Sequence, residues 1–396
     1  SKLINNLKVR IGYGAVGNQE IGLYSYLSNI QAYNTVFGDQ FITSFGPDNI
    51  ANPDVRWESS IQTNLGVDLG LFNNRLELIL DVYQKTAEGM LLPALIPLSA
   101  GGFTAPFVNI GSIVNSGIEL TLNTVNLRGK IDWRTSANFS INRNEVRSLG
   151  SNGNLTGIIQ RLPVTRTEEG GSISQFYGFV VEGIFQSLEE INEEAAFQSE
   201  NTRPGDIRFK DLNNDGIINE ADQTFLGSPL PDFTANLNNT ISYANFDLNI
   251  LFQGVFGNEI LNLVRRSTEG FVGNENQSII ALDRWTPTNP SETVPRAISS
   301  DPNDNRRISD RFIEDGSFIR LRNLSLGYTL PTAIAQKVGM TSARVYISGQ
   351  NLITITNYSG FDPEIGSFNQ NPLINGVDNG RYPISRSYTV GLNVNF

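Results

Sequence analysis

The sequence contains no cysteine and no histidine. Disulfide staples, thiol redox chemistry, histidine-based catalytic triads and histidine-ligated metal centres are therefore excluded. Long apolar runs are missing too. No window holds 18 consecutive apolar residues, which rules out a helical membrane span. A β-barrel crosses a membrane with strands and leaves no such window, so this absence does not exclude a membrane protein. Charge is sparse, at 17% of 396 residues, where a soluble domain carries about a quarter. Such a surface suits contact with something other than water. The balance is acidic, with net charge −11 and an isoelectric point near 4.7. This speaks against nucleic acid as a partner, since nucleic acid demands a basic patch. No nucleophile–base motif is visible, and no glycine-rich phosphate loop follows a strand. The carboxylate pairs Glu168–Glu169 and Glu189–Glu190, the second closely followed by Glu193 and Glu194, read as solvated acidic faces on loops. The chain is not expected to be an enzyme.

What is present is alternation. In the last segment, Tyr388, Val390, Leu392, Val394 and Phe396 point one way, and Thr389, Gly391, Asn393 and Asn395 the other. Period two means a strand with one apolar and one small-polar face. In a soluble sandwich the apolar face would meet a second sheet; in an outer-membrane barrel it would meet lipid, with the polar face lining a wet lumen. The pattern recurs in Ile61–Leu71, Leu76–Tyr83, Ile118–Asn123, Trp133–Ile141, Phe233–Tyr243 and Phe246–Phe256. Inward-pointing Glu77, Asp81 and Glu119 fit a polar lining. Between Leu321 and Leu324 the phase changes, which predicts a β-bulge near Arg322–Asn323. Ten strands are expected, at roughly 3–14, 55–71, 75–88, 113–127, 130–145, 232–243, 246–256, 316–330, 341–353 and 383–396.

The connections separate the architectures. Short links at 73–74, 127–129, 244–245 and 331–343 alternate with long ones at 15–54, 89–112, 146–231, 257–315 and 355–382. Short turns on one rim and long loops on the other characterise an outer-membrane barrel, whereas sandwiches seldom alternate so regularly. The fold class is thus all-β, a transmembrane antiparallel β-barrel, either a closed ten-stranded one or part of a wider wall. The first residues, Ser1–Gly14, lack a signal-peptide pattern and already read as strand, so the chain is expected to begin in mid-domain. Trp57, Trp133, Tyr243 and Tyr328 are read as interfacial-belt or lumen residues.

A set of motifs, in order along nearly the whole chain, resembles the SusC/RagA family of TonB-dependent outer-membrane transporters. They include VRIGYGAVGNQ (9–19), NPDVRWESSIQTNLGVDLGLFNNRLELILDVYQKTAEGMLL (52–92), NIGSIVNSGIEL (109–120), FYGFVVEGIFQS (176–187) and RPGDIRFKDLNNDGIINEAD (203–222). LGSPLPDFTANLNNTISYANFDLNILFQGVFGNEI (226–260), DRWTP (283–287), RFIEDGSFIRLRNLSLGYTLP (311–331), VYISGQNLITITNYSGFDPEI (345–365) and YPISRSYTVGLNVNF (382–396) complete it. The resemblance implies the C-terminal portion of a barrel of about 22 strands, a size known for plugged outer-membrane transporters. It also implies an N-terminal plug and a TonB-contacting segment, neither in this chain, and a SusD-like surface lipoprotein as lid. The location implied is the outer membrane of a Bacteroidota-like Gram-negative cell, with outer-membrane lipid around the wall. The implied function is energised import of oligosaccharides or peptides. Two other readings stay open: a structural or docking barrel of a larger outer-membrane assembly without transport, and a soluble β-rich adhesin.

One local motif has metal-ligand spacing. DLNNDGIINEAD places Asp211, Asn213 and Asp215 at positions 1, 3 and 5 of an EF-hand-type loop and Gly216 at the turn. The carbonyl of Ile217 falls at position 7, Asn219 at 9, and Asp222 where glutamate is usual. Oxygen-only donors suit Ca2+, although aspartate at position 12 is one methylene short for bidentate reach. The same composition also makes an ion-free Asn/Asp/Gly turn. For substrate, the loop aromatics Phe103, Phe107, Tyr177, Trp285, Tyr358 and Phe361 are candidates for stacking on sugar rings, against packing within the loops.

Overall fold

The computed structural model describes residues 3–18, 23–24, 26–94, 96, 99, 105–272 and 276–396. Ten strands form one antiparallel meander. They are β1 (Ile4–Asn18), β2 (Glu58–Leu71), β3 (Leu76–Pro93), β4 (Phe107–Leu127) and β5 (Ile131–Ser148), followed by β6 (Phe233–Tyr243), β7 (Phe246–Phe256), β8 (Phe318–Thr329), β9 (Ser342–Thr356) and β10 (Ser387–Asn395). Each pairs with its sequence neighbours, and β1 and β10 end the order. The wall is thus an open arc, and the reading as a closed ten-stranded barrel is set aside.

Register carries the two-faced pattern across the whole arc. One outward row runs Val9–Val67–Leu80–Leu120–Phe139–Ala235–Gly254–Ile319–Ile355. The row one residue further on, facing inward, runs Arg10–Gly66–Asp81–Glu119–Ser140–Thr234. Because strand periodicity is two, a one-residue slip would turn every apolar side chain inward, so the pattern fixes the register. The expected bulge is present: pairing skips Arg322 between Leu321 and Asn323. Opposite it, Asn351 adopts a positive φ of 54°, which explains the uneven alternation of β9.

The tight turns lie on one rim. At the first, Phe72, Asn73 and Asn74 all have positive φ, a conformation asparagine tolerates well, and Asn5 Oδ1 accepts from the Asn73 N–H. The fourth, after β8, holds a short helix at Thr332–Ala335 and a 3-10 turn at Gln336–Val338. Trp133, Tyr243, Phe246 and Tyr328 lie at this end of their strands, and the Phe246 and Tyr328 rings meet at 4.8 Å.

The long links depart from expectation in extent. β3 and β4 run 18 and 21 residues, about 60–70 Å of strand at roughly 3.3 Å per residue. The link between them therefore shrinks from 89–112 to 94–106. β1 continues to Asn18, and the link after it contains a hairpin, Ile30–Phe37 with Gln40–Pro47. β9 reaches Thr356, while β10 starts only at Ser387. The three remaining long links, 149–232, 257–317 and 357–386, fold together into a cap. Its core joins Ile159, Val164 and Phe176 from the first link, Leu261, Leu263, Ile308 and Phe312 from the second, and Ile374 and Val377 from the third. A satellite core holds Phe179, Ile207, Phe209 and Ile218.

Candidate functional site

The cap is where the chain gathers polar groups in depth. Asp206, fully buried, receives both Arg296 Nε and Nη2 at 2.7 and 2.8 Å. It also accepts from Asn305 Nδ2 and from the Arg203 N–H. Every oxygen lone pair is engaged, which is how a charge survives removal from water. At the seam between cap and wall, Arg320 on β8 is only 2% exposed. It donates to Asp362 at 2.6 Å, to Glu364 at 2.8 Å and to Thr354 on β9. Arg322, at the bulge, donates to Glu364 as well. The bulge therefore turns two successive even-numbered arginines toward the last long link and ties that link down. Burial pushes the Asp362 carboxyl up, but the Glu364 N–H, Arg320 and the Ile384 N–H outweigh it and hold it below the ordinary carboxylate range.

The 211–222 loop is compact. Asp211 Oδ1 accepts from the Asn214 N–H and Oδ2 from the Gly216 N–H. Asn213 caps Asp215, and Asp215 caps Ile217. Gly216 sits at φ 82°, a left-handed conformation that glycine adopts freely. Asp222 is fully buried and takes N–H groups from Leu212 and Asn219, and Asn219 caps the turn Glu220–Asp222. Among the described residues no group of three or more acidic side chains is gathered as a metal site.

The six aromatic candidates do not converge. Phe103 lies outside the described residues. Phe107 lies in β4 rather than on a loop, its carbonyl accepting from Asn52. Tyr177 is held between Arg166 and Phe225, with its hydroxyl donating to the Gln223 carbonyl. Trp285 donates from Nε1 to Gln186, and its ring covers Gly205. Tyr358 is buried, and its hydroxyl donates to Asp378 at 2.6 Å. Burial, with Asp378 beside it, drives that phenol far above its usual value. Phe361 alone of the described five stands open, at 79% exposure. Trp285 and Tyr358 thus pack the cap. The arginines escaped sequence reading because their partners lie dozens of residues away.

On the inner wall the acidic residues are paired rather than poised for chemistry. Arg10 bridges Asp68 and Asp81 at 2.7 and 2.9 Å. Gly66 lies between Arg10 and Asp81 in the ladder, and a Cβ there would stand 2.4 Å from Asp81 Oδ1 and 2.7 Å from Arg10 Cζ. Arg344 reaches Asp247 in the same way over Gly327.

A family model described as the TonB-dependent receptor-like β-barrel matches residues 2–352. The chain belongs to this family. TonB-dependent receptor P3 of Formosa agariphila is 37% identical across 100% of the chain, and the match covers 40% of that protein. TonB-dependent receptor SusC of Bacteroides thetaiotaomicron is 26% identical across 100% of the chain and is covered to 38%. The solved RagAB peptide transporter superimposes with a TM-score of 0.81 at 26% identity, covering 100% of this chain and 41% of that one. The chain thus spans about two fifths of the relatives it matches. As a TonB-dependent receptor barrel it is a non-enzymatic protein. The carboxylate pairs have structural duties: Glu169 accepts from the Leu149 N–H and Glu190 from the Gln186 N–H.

Proposed function

We propose that this chain is the C-terminal barrel portion of an importer in the outer membrane of a Bacteroidota-like cell. It takes up oligosaccharides or peptides with a SusD-like lipoprotein as lid and energy from TonB. The carrying observation is the division of labour along the strands: an unbroken outward apolar row, an inward polar row, and all long links on one rim. A rim folded into a cap with its own core suits a mouth that meets substrate and lid. Support for a fixed frame comes from the RagAB likenesses, whose TM-scores are 0.80 for the "open-open" and 0.79 for the "closed-closed" state. The test is growth and uptake of labelled oligosaccharides and peptides in cells with and without the intact gene, with affinity capture of a co-purifying lipoprotein. Unaltered uptake of every nutrient on deletion, with the barrel still co-purifying in an assembly, would replace import by the docking role.

Calcium in the 211–222 loop belongs to the same proposal. Asp211, Asn213, Asp215, Asn219, Asp222 and the Ile217 carbonyl form an oxygen-only donor set suited to a hard cation. The carboxylate oxygens that cap backbone N–H groups keep a second lone pair for a metal. EGTA is expected to expose segment 203–227 to protease, and added Ca2+ to restore protection. Identical digestion patterns in both conditions would remove the ion from the loop.

A further inference from the structure

The cap contains an open cavity of about 290 Å³. It lies where the first link's hairpin (Asn154–Ile159 with Leu162–Glu168) meets the end of the 211–222 loop and the segment before β8. Four of its polar lining residues are Arg166, Arg307, Glu220 and Gln223. Both guanidinium groups are set by aromatic faces: Arg166 lies 4.5 Å from the Tyr177 ring centre, and Arg307 lies 5.1 and 5.0 Å from those of Phe179 and Phe209. Each also touches a carboxylate. Arg166 Nε approaches Glu168 at 2.5 Å without hydrogen-bond alignment, and Arg307 Nε stands 3.4 Å from the exposed Asp304. Arg166 Nε and Arg307 Nη1 are buried without a hydrogen-bond partner. Such orphaned donors carry a cost that a ligand or ordered water removes.

We propose that this cavity binds one sugar unit of an oligosaccharide substrate. The lining sets rigid donors (Arg166, Arg307) beside acceptors (Glu220, Asp304) and an amide that is both (Gln223), against apolar walls from Leu162, Pro163 and Ile308. A hydroxyl both donates and accepts, so a ring of hydroxyls with an apolar C–H face engages all of them at once. A purely anionic ligand would meet Glu220 and Asp304 as repulsion. A peptide backbone offers one donor and one acceptor per residue and gains most from a strand edge. This assignment rests on the import reading and narrows its substrate class.

The experiment applies the full-length protein, purified in detergent with its co-purifying partners, to an array of neutral and acidic oligosaccharides and of peptides. Titration calorimetry follows on the best binder. An oligosaccharide is expected to bind, with Arg166→Gln and Glu220→Ala each weakening it by about tenfold. Glu220→Ala guards against misfolding, because that exposed side chain makes no hydrogen bond within the described residues. Its melting temperature is expected to stay that of the parent. No oligosaccharide captured, capture of peptides instead, or unchanged affinity in Glu220→Ala would each overturn the proposal. The readout needs neither membrane nor energy. Binding with no uptake defect in deletion cells would keep this site and remove the import reading, while uptake without glycan binding would do the reverse.

Discussion

Along the wall, Val9, Leu65 and Leu237 remain open to their surroundings, whereas in the cap Phe176, Leu261 and Phe312 have no exposure at all. The wall's strands keep their backbone groups paired with neighbours and turn their apolar side chains outward, the arrangement a lipid environment demands. The cap buries apolar side chains against one another, as a water-soluble domain does. One chain therefore meets two solvents. The same substitution should have opposite consequences in the two regions.

The largest expected effect lies in the cap. Phe312→Ala removes a fully buried ring from a core shared by three links and should cost about 3–5 kcal/mol of local stability. Limited proteolysis should then cut within 149–317 while β1–β10 stay protected. Next is a pair on neighbouring strands of the wall. Leu237→Arg, outward, should destabilise the barrel by about 2–4 kcal/mol near the bilayer midplane. Ser136→Arg, inward beside polar neighbours, should fold into vesicles as the parent does. Equal effects from the two would erase the distinction between faces. A smaller loss, about 1–3 kcal/mol, is expected from Gly66→Ala, whose new methyl would collide with the Arg10–Asp81 pair. Urea midpoints in lipid would measure it.

The smallest effect concerns acid. The Asp362 carboxyl is held below its ordinary value, which is near 3.9 in an unfolded chain. Its stabilisation is complete above that value and is lost as pH falls through the depressed folded value. Protease sensitivity of 357–386 should therefore stay flat from pH 7 to about 4 and rise only below it, and Asp362→Asn should remove that rise. Asp310 has the opposite sign: burial raises its pKa, so lowering the pH should strengthen its neighbourhood in the cap.

The wall was legible because its information is local. Alternation, two-residue turns and the phase change at Arg322 are all visible within a dozen residues. The ends of β3 and β4 were missed because Gly89, Met90, Asn109 and Gly111 break the alternation at a register shift, although pairing continues past it. The cap was not legible as a unit. Its strands are three to seven residues long, too short to set a period, and its core draws on links far apart in sequence. For the same reason the loop aromatics invited a binding role that Tyr358 and Trp285 spend on packing, and the cavity arginines gave no signal at all.

The core shared by three links also orders events in time. Ser174 accepts from the Asn375 N–H across 201 positions, and Ile374 and Val377 complete a cluster begun by Ile159. Contacts that distant close slowly and late. The cap therefore cannot seal until the last long link has been delivered to the same side as the first. A chain stalled before β9 would display an unfinished, protease-open surface. A sealed outer face thus certifies that threading of the wall has reached its end.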